Sequence, residues 1–362
     1  MPTATGLTRQ LGITHPIFQA PMAGGATTAD LVAAVCQAGG LGFLAAAYTA
    51  PETIARTAAQ VRERTDRPFG VNLFAPLPPP DGTLDPTPAV AKLRPFHQAM
   101  QLPPPLPPAF SPDPFDELFA AVIECGAAVL SFTFGLLPAT ALQEAKSRKM
   151  YVIGTATTVE EGMALQASGV DAVVTQGAEA GAHRGTFLRS FNDSMVGTLA
   201  LVPQMVDALT IPVIASGGIM DGRGIAAGLA LGAEAVQMGT AFLTCHEAGV
   251  CEAHKLAILD AQESDTRITR AFSGRPARGI ANRFMETIEN PCETESILPY
   301  PLQNALTRPL RTAAANANRP EFLSLWAGQG VRLSRRQSAT ELMGQLVTET
   351  DAVIQRLSTL GR

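Results

Sequence analysis

Short, almost uninterrupted apolar runs alternate with amphipathic stretches along most of this chain. The runs occupy residues 16–22, 41–46, 69–74, 129–134, 150–155, 172–176, 212–216 and 235–239. A strand buried on one face alternates apolar and polar residues. Near-continuous apolar runs instead predict strands covered on both faces, as in a parallel sheet clothed by helices. The stretches between them carry helix signals. In "TTADLVAAVCQAGG", Thr28 or Asp30 can cap the start and Gly39 can end the helix. In "TVEEGMALQASGVDAVV", Gly169 separates a helix from the next strand. Eight such repeats predict an α/β fold, a closed (β/α)8 TIM barrel, with an open doubly wound sheet as the structural competitor.

Two stretches break the pattern. Residues 76–114 hold fourteen of the chain's 28 prolines. Proline fixes φ and removes a donor, so neither a helix nor a central strand is expected there. The segment follows the third strand and leaves from the C-terminal mouth of the barrel, where active-site loops sit. It is either a stiff surface excursion or a semi-rigid wall beside a substrate, with Phe110 as an apolar contact. The second break, 244–335, is too long for an ordinary connection. It is expected to fold as a subdomain or to cap the mouth as a lid, leaving 1–243 plus 336–362 as the barrel. Leu342, Met343, Leu346, Val347, Val353, Ile354 and Leu357 recur at helical spacing and predict a closing helix.

Composition narrows the function classes. A net charge of −5, a pI near 5.6 and no basic run argue against a nucleic-acid surface. The five cysteines are spread without a Cys-x-x-Cys pair, which fits a reducing compartment better than disulfides or zinc. The N-terminus lacks the layout of a signal peptide, and no apolar run reaches membrane-spanning length. A cytoplasmic enzyme, monomer or homodimer, without membrane or nucleic-acid partners is the expectation. No metal-ligand spacing, nucleophile elbow or Rossmann fingerprint is present.

Candidate chemistry lies at the ends of the expected strands. Ser216-Gly217-Gly218 follows the seventh run and Gly239-Thr240 the eighth. In α/β barrels these loops, with a helix N-terminus, form a phosphate cradle, although tight turns also use glycine. "QAPMAGG" ends the first run, and its Ala20, Pro21 and Met22 can border a flat ring. Asn72 and Gln176 end otherwise apolar strands, and buried amides must find partners. "QGAEAGAHRG" then brings Gly181 and His183 over the same mouth, with Glu179 nearby. An imidazole exchanges protons near neutrality, though a loop histidine bonded only to backbone is the plainer reading.

Together, "QAPMAGG", "GVNLF", "QGAEAGAHRG", "ASGGIMDGRG" and "QMGTAFL" resemble the nitronate monooxygenase family, and "LPYPLQNALTRPLR" and "LWAGQG" resemble its class I branch. The resemblance implies an FMN-dependent barrel that oxidises alkyl nitronates, such as propionate 3-nitronate, with O₂ through a flavin semiquinone, and in some cases nitroalkanes. It implies that Met22, with Ala20 and Pro21, borders the isoalloxazine and that Asn72 and Gln176 bond its edge. Gly181, Ser216, Gly217, Gly218, Gly239 and Thr240 would hold the cofactor's remaining groups, and His183 would face the flavin. Substrate contacts fall to Phe110, Tyr300, Asn304 and Arg308.

The chain also departs from the family pattern. Ala182 replaces a glycine beside the histidine, Asn304 and Arg308 stand where Tyr and Lys are usual, and Phe110 stands where a tyrosine is usual. Arginine can hold a carboxylate bidentately where lysine acts as a point charge. Three other readings remain open: an NAD(P)H-dependent quinone or enoyl reductase of the same FMN-barrel superfamily, a non-catalytic flavin-binding sensor, and a flavin-free phosphate-sugar isomerase.

Overall fold

A computed structural model describes residues 4–79, 84–109, 113–289 and 296–360. Eight parallel strands close into a barrel: β1 (Ile17–Gln19), β2 (Leu41–Ala45), β3 (Gly70–Phe74), β4 (Val129–Thr133), β5 (Tyr151–Ala156), β6 (Ala172–Gln176), β8 (Val213–Ser216) and β9 (Ala235–Met238). Each lies on one of the eight apolar runs, and β9 pairs with β1 to complete the ring. The first run is trimmed most. Pro16 has no amide to give a ladder, and residues past Gln19 turn out into the mouth.

Phe18, Leu41, Phe43, Val129, Ile153, Val174 and Ile214 fill the barrel, and Leu7 and Leu11 of helix Gly6–Leu11 pack into the same cluster. Gly70 is required here, because a Cβ on it would lie 2.4 Å or less from the Phe43 ring. Helix starts follow the sequence signals: Thr28 and Thr158 accept from the amides of Leu31 and Glu161, and Gly169 ends its helix in the left-handed conformation. The closing helix, Ala339–Thr359, begins at a Ser338/Glu341 capping box and buries Leu342, Met343 and Leu346.

The proline-rich segment corrects one expectation, since it contains a thirteen-residue helix, Thr87–Ala99. Pro88 sits in the first turn, where a missing amide costs nothing. Pro95 interrupts the ladder, but Ala89, Val90, Leu93 and Phe96 are buried against the segment that follows β9. Phe96, Phe272, Phe284 and Phe322 form one aromatic cluster, with neighbouring centroids 4.6–5.7 Å apart. Phe110 lies outside the described residues. A second sheet arises from pairing not visible in the sequence. Residues Ala182–His183 form a short strand, β7, on the edge of an antiparallel pair, β10 (Thr266–Thr269) and β11 (Ala277–Ile280).

Candidate active site

The C-terminal ends of the barrel strands and the segment above them enclose a cavity of about 720 Å³. Ala20, Pro21, Met22, Asn72, Gln176, Gly181, His183, Ser216, Gly217, Gly218, Gly239, Thr240, Asn304 and Arg308 all line it. Tyr300 stands just behind, its hydroxyl 2.9 Å from that of Tyr48, which does line it.

Ser216, Gly217 and Gly218 form a recess. Gly217 and Gly218 have φ of +114° and +70°, conformations that disfavour a side chain. Neither amide donates to a protein group among the described residues. Both therefore remain available to an anion. Gly239 faces the recess with nothing closer than 3.6 Å to where a Cβ would stand. The helix that follows, Gly222–Ala230, is not part of the cradle, because its first amides are already taken, that of Gly222 by the Glu349 carboxylate and those of Arg223 and Gly224 by Asp221. Thr240 Oγ1 accepts from the buried amide of Gly328, tying β9 to the "LWAGQG" stretch.

The two amide side chains behave differently. The Asn72 side chain donates to Ser131 Oγ at 2.9 Å, while its side-chain carbonyl has no protein partner among the described residues. Gln176 is spent on the loop that carries the histidine: it donates to the His183 carbonyl (3.0 Å) and accepts from the Gly185 amide (2.8 Å). Glu179 does not pair with His183. Its carboxylate accepts from the amide and hydroxyl of Thr198, capping helix Thr198–Ala208. Ala182 has φ +61°, a left-handed conformation that only its methyl group opposes.

His183 sits between Phe134, Tyr300 and Trp326, with ring centroids 5.6–6.1 Å away. Its Nε2 lies 2.8 Å from Ser273 Oγ. Burial first, then the charges of Arg275 and Arg311, push its pKa down to about 3, so the imidazole is neutral at physiological pH. Arg275 lies 3.8 Å over the Phe134 ring. Arg311 donates to both the carbonyl and side chain of Asn304. Burial lowers both guanidinium pKa values to about 10, leaving them charged. Exposed Arg308 lies over the Tyr48 ring. Among the described residues none of these three arginines forms an ion pair with a carboxylate, and Arg308 and Arg311 line the cavity, so this end of it favours an anionic ligand.

Tyr48, Arg275, Arg311, Ser273 and Trp326 were not among the residues singled out from sequence. A signal existed for Tyr48, which follows the second apolar run at the barrel mouth. Arg311 and Trp326 lie within the quoted "LPYPLQNALTRPLR" and "LWAGQG", Arg311 on helix Leu302–Asn316 one turn beyond Arg308, whereas Ser273 and Arg275 come from an irregular segment brought in only by tertiary packing. Among the described residues no group of three metal-ligating side chains converges, and no helix is long and apolar enough to cross a membrane.

A closed parallel barrel whose glycine-lined recess and histidine share one cavity is the architecture of a cofactor-using barrel enzyme. Residues 5–349 match the nitronate monooxygenase family. The probable nitronate monooxygenase of Bacillus subtilis (strain 168) is 43% identical over 349 residues, 94% of this chain and 97% of that protein. Nitroalkane oxidase from Streptomyces ansochromogenes superposes with a TM-score of 0.89 at 40% identity, covering 97% of this chain and 99% of that one. FabK from Thermotoga maritima superposes at 0.77 with 30% identity, covering 98% of each chain. The chain belongs to the nitronate monooxygenase family and is a flavin-type oxidoreductase.

Proposed function

We propose that this protein binds FMN and oxidises alkyl nitronates with O₂, propionate 3-nitronate being the type of substrate that suits it. The observation that carries this reading is one cavity joining three features: a recess of free glycine amides, a neutral histidine, and guanidiniums without carboxylate partners. The recess suits a phosphate: Gly217 and Gly218 offer donors, and Gly239 leaves room for close approach. Met22, with Ala20 and Pro21, would border the flavin ring, and the unpartnered Asn72 carbonyl would take a ring N–H. Gln176 would act mainly by holding the histidine loop in place. When bound, the flavin supplies the electron acceptor for the nitronate and the route of those electrons to O₂.

The chain's own residues bind and orient. Arg308 and Arg311 would hold the anionic end of the substrate, a task in which arginine's fork adds direction to charge. The Tyr48 and Tyr300 hydroxyls stand beside them, and burial raises the pKa of both phenols, so they stay protonated as donors. His183 would sit over the reacting carbon. Towards a nitronate, already deprotonated, it orients; towards a neutral nitroalkane it would be the base. The test is the absorbance spectrum and extracted cofactor of the purified protein, followed by oxygen uptake with nitronates and nitroalkanes. A flavin spectrum with nitronate-dependent uptake is expected, and a colourless protein that never takes up flavin would overturn the reading.

A further inference from the structure

Ser273 is fully buried, and its Oγ has three polar neighbours: His183 Nε2 at 2.8 Å, the Arg275 carbonyl at 3.0 Å and the Arg275 amide at 3.3 Å. The hydroxyl has one proton to give. The Arg275 amide can only donate and the Arg275 carbonyl can only accept, which leaves two arrangements. In the first, the hydroxyl donates to the carbonyl and accepts from an Nε2–H of His183, and all three neighbours are satisfied. In the second, the hydroxyl donates to a bare Nε2, and the Arg275 carbonyl loses the one donor it has among the described residues. Only the first arrangement satisfies all three neighbours of the buried hydroxyl at once, so it prevails.

We propose that Ser273 is a positioning residue that fixes the resting tautomer of His183 with its proton on Nε2, so that the lone pair of Nδ1 is what the ring offers to the cavity. Nδ1 has no protein partner among the described residues and is not sealed off from contact, and the ring that carries it lines the cavity. Phe134, Tyr300 and Trp326 hold the ring plane, so the choice of tautomer decides what the cavity meets.

The consequence, which rests on the proposed nitroalkane and nitronate chemistry, is a division between substrates. With a neutral nitroalkane, the Cα–H bond breaks, its electron pair moves into the nitro group, and the proton goes to Nδ1. The resulting imidazolium keeps its Nε2–H on Ser273. A nitronate arrives without that proton and does not need the step. Ser273 therefore matters more for nitroalkanes than for nitronates.

The test uses the holoprotein labelled with ¹⁵N-histidine, with His183 assigned by the signals lost in His183→Gln. Wild type is expected to show an imine-like Nδ1 and a pyrrole-like Nε2. Ser273→Ala should lose this clear separation and Ser273→Thr, which keeps the hydroxyl, should restore it. In kinetics, Ser273→Ala should lower kcat/KM for a neutral nitroalkane about tenfold more than for its nitronate, a fraction of the roughly 10²–10⁴-fold a general base contributes, because the base itself remains. A protonated Nδ1 in wild type, an unchanged tautomer in Ser273→Ala, or equal losses on both substrates would overturn the proposal. If neither substrate is turned over, the functional reading fails, and the nitrogen shifts still decide the tautomer.

Discussion

Replacing Glu161 with glutamine tests how the histidine loop is held. Glu161 is fully buried, and its carboxylate accepts five hydrogen bonds. One oxygen takes the amide and hydroxyl of Thr157, both at 2.7 Å. The other takes the Thr186 hydroxyl and the amides of Phe187 and Leu188, at 2.6–3.0 Å. The side chain thus joins the end of β5 to the stretch just beyond His183. Glutamine keeps the shape but turns one oxygen into an NH₂. Placed on the Thr157 side, which opposes the fewest donors, that NH₂ meets an amide that cannot reverse its role. The charge-assisted bond to the Thr157 amide is lost, at about 1.5–3 kcal/mol, and that amide is left unpaired at about 1–3 kcal/mol more. The Thr157 hydroxyl can turn to accept from the NH₂, and the other bonds weaken with the charge. About 3–5 kcal/mol of destabilisation follows, or a Tm lower by about 4–7 °C for a chain of this length. Calorimetry reads the Tm, and hydrogen exchange at Phe187 and Leu188 reads the loop. A fall of less than about 1 °C with both amides still protected would refute the reasoning.

The remaining predictions probe the cavity. His183, with pKa about 3, and His254, which burial lowers to about 4, bind a proton when unfolded but not when folded between those values and the usual 6.5. Stability should therefore fall as pH drops below 6.5, by at most about 1.4 kcal/mol per pH unit per histidine. In His183→Asn the acid slope measured by denaturation should shrink by one proton. Gly218→Val should lower the flavin retained per protein, because the side chain must take a left-handed φ and meets Glu179 Cβ within about 3.1 Å. Arg311→Met should raise KM for an anionic substrate about ten- to a hundredfold while leaving a neutral one less affected, read from initial rates. Ala182→Gly should stabilise the fold by about 0.5–1 kcal/mol, as relief of the left-handed alanine outweighs glycine's chain entropy, measured by chemical denaturation.

The barrel was legible because strands covered on both faces have little choice of residue, and the eight apolar runs coincide with the eight strands. The glycine turns were legible for a related reason: Gly217 and Gly218 hold backbone conformations few other residues accept. What composition hid was supplied by packing. Helix Thr87–Ala99 forms despite Pro95, because its apolar face finds Phe284 and Phe322 far along the chain. Strand β7 has only two residues, and its pairing of Ala182 with Arg278 exists only once the segment after β9 is folded. Glu179 looked like a partner for His183 by proximity in sequence, yet three residues of chain were enough to turn it to the next helix. Arg311, three residues past Arg308 on helix Leu302–Asn316, could have been read as its neighbour, whereas Ser273 and Arg275 carry no local pattern at all. Their relevance comes from which way they face.

The proposed function requires that flavin in this cavity be reduced by a nitronate. The direct measurement is anaerobic mixing of the FMN-loaded protein with propionate 3-nitronate and, separately, with NADH, followed by flavin absorbance and then by admission of O₂. A rapid spectral change with the nitronate, recovery of the oxidised spectrum in O₂, and a negligible response to NADH are expected. Rapid bleaching by NADH with no response to the nitronate would contradict that function.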